Sequence, residues 1–283
     1  MYGKRIMTLK TIVACFTAPE STPAVAAVAL RLAERHKAHL IALHVIPRYP
    51  IYNVAGIEFP DEIIRREEQA FQDRASEVEK LFAKAATSSS AATEWRCEQS
   101  PQVDLATGLL RHIPSADLIV MSQLLGTGAD LEMAAEVVIG AGRPVLIMPG
   151  VGEYQEIGRR VVIAWNGKRE ATRAAFDALP LLEKADSVHI LTINPDGGRG
   201  GDGLSPGSDL ALALSRHGIK AVTATSHPAD ISDGDDLLSR IADESCDLLV
   251  MGCYGHSRLR EFIFGGVTRH ILKHMTVPVL MSH

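Results

Sequence analysis

The chain has 283 residues, 46% of them hydrophobic, so it can bury substantial cores and its size predicts two domains. A formal net charge of -5 with no basic-aromatic track excludes nonspecific nucleic-acid binding. No apolar run is long enough for a membrane span, and no cleavable signal follows Lys4-Arg5. The four cysteines, at 15, 97, 246 and 253, lack metal-ligand spacing and read as reduced thiols. A cytoplasmic protein is therefore expected, without a metal site and without nucleic-acid or membrane partners.

In the first half, strands are predicted over Thr11 to Cys15, His39 to Val45, Thr93 to Glu98, Asp117 to Met121 and Pro144 to Met148. A loop, Pro47 to Pro60, leads into a long charged helix from Asp61 to about Ala86. Its alternating acids and bases (Glu67, Glu68, Asp73 against Arg65, Arg66, Arg74) read first as a solvated face and second as a partner contact.

The second half repeats the plan. Val161 to Trp165 is a strand, Lys168 to Leu182 a helix with an apolar stripe, and Ser187 to Ile193 a strand. After the glycine-rich run Gly197 to Gly203, Pro206 opens a helix to His217. Ala221 to Thr225, Asp247 to Met251 and Pro278 to Ser282 are strands, with a helix over Asp235 to Glu244. Apolar strands joined by crossover helices imply parallel sheets covered on both faces.

The halves match segment by segment. Asp117-Leu118-Ile119-Val120-Met121 parallels Asp247-Leu248-Leu249-Val250-Met251, and Pro144-Val145-Leu146-Ile147-Met148 parallels Pro278-Val279-Leu280-Met281. A duplication of about 140 residues accounts for this, far too long a period for a solenoid. The expected division is 1–152 and 153–283, each an open five-stranded parallel α/β domain of strand order 3-2-1-4-5. The fifth strands lie at sheet edges, so Val145 to Met148 is expected to pair with Val279 to Ser282.

The strongest chemical signal is Gly252-Cys253-Tyr254-Gly255, nine residues, then Gly265-Gly266-Val267-Thr268. It runs from the end of a strand into a predicted helix, where glycines let backbone amides approach an anion. Turn-forming glycines are the competing reading. The Gly197 to Gly203 loop lacks a Lys-Ser or Lys-Thr ending and is not a Walker-type site.

This motif, with the closing Val277-Pro278-Val279-Leu280 and the opening Val162-Ile163-Ala164-Trp165-Asn166-Gly167, resembles the ATP-binding signature of the universal stress protein family. The whole chain resembles a tandem member, with the glycine signature in the second half alone. The resemblance implies a Rossmann-like fold and binding of ATP or another adenine nucleotide, with Mg2+ as an accompanying ion. Asn166 would meet adenine, although the family carries an acid there. Gly252 and Gly255 would line the ribose and first phosphates, and Gly265, Gly266, Val267 and Thr268 would wrap the outer phosphates. Gly266 stands where the family usually has Ser or Thr, which removes one phosphate hydrogen bond.

Other residues carry weaker signals. His256, Arg258 and Arg260 could neutralise phosphate or simply be surface residues. Lys273 and His274 suit a helix C-terminus, and His44 and His189 read as packed or locally bonded. In the first half Ser122-Gln123-Leu124-Leu125 replaces the first glycines, which predicts a degenerate or differently liganded domain. No nucleophile, base and orienter recur in a recognisable order, so no catalytic residue is assigned.

The leading expectation is an adenine-nucleotide-binding stress or regulatory protein. A slow ATP hydrolase and an interaction scaffold with an empty pocket are the alternatives. Metal-dependent turnover distinguishes the first, and absence of nucleotide after gentle purification the second. The charged helix and the loop Ile51 to Ile57 have no counterpart in the second half, and they motivate an expected homodimer.

Overall fold

The computed structural model describes residues 8–47, 61–100, 104–124, 128–195, 206–253 and 266–283. They divide into two compact units, Leu9–Ser122 and Gln123–His283, with Thr8 assigned to the latter.

The first unit contains strands β1 (Thr11–Phe16), β2 (His39–Ile46), β3 (Ala92–Gln99) and β4 (Leu118–Ser122) in the order β3-β2-β1-β4, all parallel. Helix α1 (Thr22–His36) buries its alanine-rich stripe and stops at Lys37, whose left-handed backbone (φ 52°) caps it. The long charged helix α2 (Asp61–Ala86) buries Ala75, Val78 and Phe82, which share one helical face. Helix α3 (Leu105–Leu110) is capped by Asp104, whose carboxylate accepts from Ala106 N and Thr107 N.

The second unit begins with helix α4 (Gly128–Gly140) and strand β5 (Val145–Met148). Then come β6 (Arg160–Ala164), α5 (Arg169–Asp177), α6 (Leu179–Leu182), β7 (Ser187–Ile193), α7 (Ser208–Arg216), β8 (Val222–Ser226), α8 (Asp233–Asp243), β9 (Leu248–Gly252), α9 (Gly266–His274) and β10 (Val279–Ser282). Strands run β5-β10-β9-β6-β7-β8, parallel except for β5 against β10. From β8 to β10 this is the expected order 3-2-1-4-5. The expected edge pairing is also present, with Val279 opposite Ile147 and Met281 opposite Val145. It gives the second unit a six-stranded sheet, since β5 satisfies the otherwise open edge of β10.

The aspartate that opens the fourth strand of each repeat is a clamp. Asp117 Oδ2 accepts from Lys10 N at 2.7 Å and Thr11 N at 3.0 Å. Asp247 Oδ1 accepts from Gly158 N at 2.8 Å and Arg159 N at 3.0 Å. Each pins the incoming first strand of its own repeat beside the fourth, which explains the duplicated Asp-Leu pattern.

Two of the departures from the expected elements have a visible cause. The helix read over Lys168 to Leu182 breaks at Ala178 into α5 and α6, because Pro180 has no N–H and can sit only in the opening turn of a new helix. Helix α8 starts two residues earlier than expected, at Asp233, because Ser232 supplies the cap and accepts from Asp235 N.

Candidate functional site

In a parallel sheet, a crossover helix must start where the preceding strand ends. Because β9 and β10 are parallel, α9 begins at the C-terminal edge of the sheet. β6 and β9 are neighbours, with Ala164 opposite Met251, so the turn after β6 and the end of β9 share that edge. The topology therefore brings Asn166, Gly252 and the Gly266-Val267-Thr268 start of α9 to one edge of the second unit. Gly255 and Gly265, together with His256, Arg258 and Arg260, lie outside the described residues.

Asn166 is exposed, and its Oδ1 accepts from Lys168 N at 3.0 Å. That local bond shapes the turn leading into α5, and the amide keeps two Nδ2 hydrogens and a second lone pair for a ligand. Gly167 follows with φ 70° and open space where a Cβ would stand.

Gly252 has a packing requirement that its sequence context hid. A Cβ there would lie 2.3 Å from Ala171 N and from the Glu170 carbonyl carbon, so the end of β9 sits directly against the first turn of α5. Only glycine permits that approach.

Cys253 continues the edge as a buried residue. Its N–H donates to Ser282 O at 3.0 Å, and its carbonyl accepts from His283 Nδ1 at 3.0 Å. Burial first, then the nearby Glu170 charge, pushes its thiol up to about 12, so it stays protonated and inert near neutral pH.

Helix α9 offers the amides. Gly266 is exposed with no atom of the described residues within 4 Å of a would-be Cβ, Val267 is half-buried, and Thr268 is buried. The first four N–H groups of a helix have no partner within it, and the dipole makes that end electropositive. Ile271 and Leu272 anchor the helix in the core. The His270 ring closes over Gly234 of α8, and its Nε2 lies 3.0 Å from Asp235 Oδ1. Lys273 and His274 occupy the last turn, where cations suit the dipole.

The remaining histidines have local partners. His44 Nδ1 donates to Phe16 O at 2.8 Å, and burial holds its pKa below the usual imidazole value. His189 pairs with Glu244 through Nδ1 and Oε2. Among the described residues no cluster of three or more His, Cys, Asp or Glu side chains could hold a metal ion. Nor is any described helix long and apolar enough to cross a membrane.

The first repeat has a different edge. Ser122 is buried, with its Oγ 3.2 Å from Thr17 Oγ1, and Leu124 is half-buried. Leu125 lies outside the described residues. By strand register, with Cys15 opposite Met121 and Ala164 opposite Met251, Thr17 stands where Asn166 stands in the second repeat, and it is half-buried. Sequence reasoning named Gln123 only within the stretch that replaces the glycines and missed its role as a buried amide that holds the far end of α9.

A model of the universal stress protein family matches residues 8–123 and 158–283. A curated universal stress protein from Synechocystis sp. is 45% identical over 38 residues, which is 13% of this chain and 13% of that protein. A universal stress protein structure from Archaeoglobus fulgidus superposes with a TM-score of 0.66 at 15% identity, covering 95% of this chain and 97% of that one. A functionally unknown protein from Pseudomonas aeruginosa superposes with a TM-score of 0.60 at 10% identity, covering 97% and 92%. These likenesses establish a shared fold, and the two family matches span most of the sequence. The chain belongs to the universal stress protein family, as a tandem of two such repeats.

Proposed function

We propose that this chain is an adenine-nucleotide-binding regulatory protein whose ligand, ATP in the first instance, binds in the second repeat. The observation that carries the reading is the convergence of the Asn166 turn, Gly252 and the start of α9 at one C-terminal sheet edge. Asn166 would read the adenine edge through its amide. The amides of Gly265, Gly266, Val267 and Thr268 would hold the outer phosphates, with Gly252 and Gly255 keeping the approach open. Bound Mg2+ would neutralise phosphate charge, which the amides alone do only in part.

The pieces fit such a ligand. Among the described residues nothing lies within 4 Å of a Cβ at Gly266. The described groups assigned to the ligand, the Asn166 amide and the backbone N–H donors of α9, are binding groups. On this reading the functional division is 1–152 and 153–283, with the first repeat as a nucleotide-free frame. The protein acts in the cytoplasm as a homodimer, and occupancy alters conformation or association.

Extraction of the gently purified full chain, followed by mass spectrometry of released small molecules, tests the assignment. Recovery of an adenine nucleotide near one per chain is expected. Absence of any nucleotide, combined with no heat on ATP titration, would support the scaffold alternative. ATP-dependent phosphate release requiring Mg2+ would move the assignment to a hydrolase.

A further inference from the structure

The far end of α9 is held by one side chain. Gln123, 8% exposed, follows β4 and donates through Nε2 to Leu272 O at 2.8 Å and Lys273 O at 3.2 Å. Its Oε1 accepts from Gly150 N at 2.9 Å, and its own N–H donates to Met148 O at 2.6 Å. The last four carbonyls of a helix have no partner within it. Here Ile271 O is taken by Met275 N at 2.8 Å, and the Leu272 and Lys273 carbonyls go to Gln123. The negative end of the helix dipole thus meets an amide donor.

A second hook acts nearby. Tyr154, in the same segment after β5, donates from its hydroxyl to Val151 O at 2.9 Å and Thr276 O at 3.2 Å. The anchored carbonyls and the first-turn amides belong to one helix of nine residues, a stiff rod of about 12 Å. An axial shift at one end of such a rod appears at the other.

The corresponding position in the second repeat shows that the fold does not demand an amide there. Cys253 makes the same backbone bond, to Ser282 O at 3.0 Å, with a buried thiol and no comparable bridge. The glutamine is therefore tied to α9 rather than to the strand end as such.

We infer that Gln123 is a positioning residue for the nucleotide site. By fixing α9 along its axis it presents the amides of Gly266, Val267 and Thr268 at the sheet edge, and by the same bonds it transmits occupancy of those amides to Gly150 and the segment after β5. The inference rests on the proposed nucleotide site. Thermodynamic reciprocity supplies the second half: a contact that changes ligand affinity must itself be strengthened by the ligand.

Two variants of the full chain test this. Q123M keeps the side-chain length and removes the hydrogen-bonding amide. Q123E keeps an acceptor for Gly150 N and removes the donor to the α9 carbonyls. At a temperature where circular dichroism shows each variant folded, ATP titration is expected to give a dissociation constant about fivefold higher or more. Hydrogen exchange over 266–270 should accelerate by a similar factor, while peptides covering β6 and β7 are unchanged. In the wild type, ATP should slow exchange at Gly150, and in Q123M it should not.

Wild-type ATP affinity in both variants, or faster exchange confined to 271–276, would overturn the inference and leave Gln123 as a local cap. If the wild type itself takes up no ATP, the nucleotide reading fails, and with it transmission of occupancy. Exchange over 266–270 then still decides whether Gln123 positions the helix.

Discussion

The turns that follow the first strands of the two repeats show how one frame serves two purposes. At the end of β1, Phe16 is buried and its ring lies 5.4 Å from that of Phe82 and 6.4 Å from that of Trp95, with Phe82 and Trp95 6.0 Å apart. In the second repeat the register counterpart of Phe16 is Trp165, which is half-buried, and the next residue, Asn166, is exposed and shapes a polar turn where the first repeat has Thr17. The first repeat buries the aromatic end of its leading strand as core, and the second leaves the counterpart partly exposed beside a polar turn. The parallel order of the first four strands and the aspartate clamp are kept in both.

The comparison predicts its own largest effect at Phe16. Phe16→Ala should destabilise the chain by about 3 to 5 kcal/mol in chemical denaturation, by loss of aromatic burial and a residual cavity. ATP affinity measured below the unfolding transition should be unchanged. A fall in affinity without loss of stability would show that the first repeat also holds nucleotide.

Gly252→Ala should cost about 3 kcal/mol, because the methyl would meet the backbone of α5 at 2.3 Å. Ser122, its counterpart, already carries a side chain in the first repeat, and Ser122→Gly should cost about 1 kcal/mol. Equal costs at the two positions, from urea titrations, would break the asymmetry proposed for the strand ends.

Much of the fold was legible because strand burial writes itself as continuous apolar runs. Leu118 to Met121 and Leu248 to Met251 are all buried, and both runs stood out as strands in the sequence. The break between α5 and α6 was missed, because the alanine stripe continued across Pro180 and masked its effect. The reason for Gly252 was not legible, since a sequence does not state which helix lies over which strand end. Gln123 left no trace either. Its partners are the backbone carbonyls of residues 149 and 150 positions away, and a backbone partner imposes no side-chain pattern. Asn166, by contrast, was singled out by the resemblance of Val162 to Gly167 to the family's first strand and turn.

Smaller effects follow at the recognition edge. Asn166→Ala should raise the ATP dissociation constant about tenfold, the equivalent of ~1.4 kcal/mol, while shifting stability by about 1 kcal/mol or less. Unchanged affinity with lost phosphate release would favour the hydrolase reading. Gly266→Ser adds a hydroxyl where a Cβ meets nothing, and should tighten ATP by about threefold, roughly 0.7 kcal/mol. Weaker binding in calorimetry would mean that the position needs glycine for ligand approach.

The smallest expected effect is chemical silence at Cys253. Burial pushes the Cys15 and Cys253 thiols up to about 12, while Cys97 is exposed. Iodoacetamide at pH 8 should label Cys97 first and Cys253 hardly at all, read by peptide mass mapping. Rapid labelling of Cys253 would contradict a closed strand end.

The central claim is that one repeat of the two binds nucleotide, and calorimetric titration of ATP with Mg2+ into the full chain tests it most directly. The predicted result is one site per chain, abolished by Gly265→Val and retained in Leu124→Val. Two equivalent sites, or a single site that survives Gly265→Val and disappears in Leu124→Val, would contradict it.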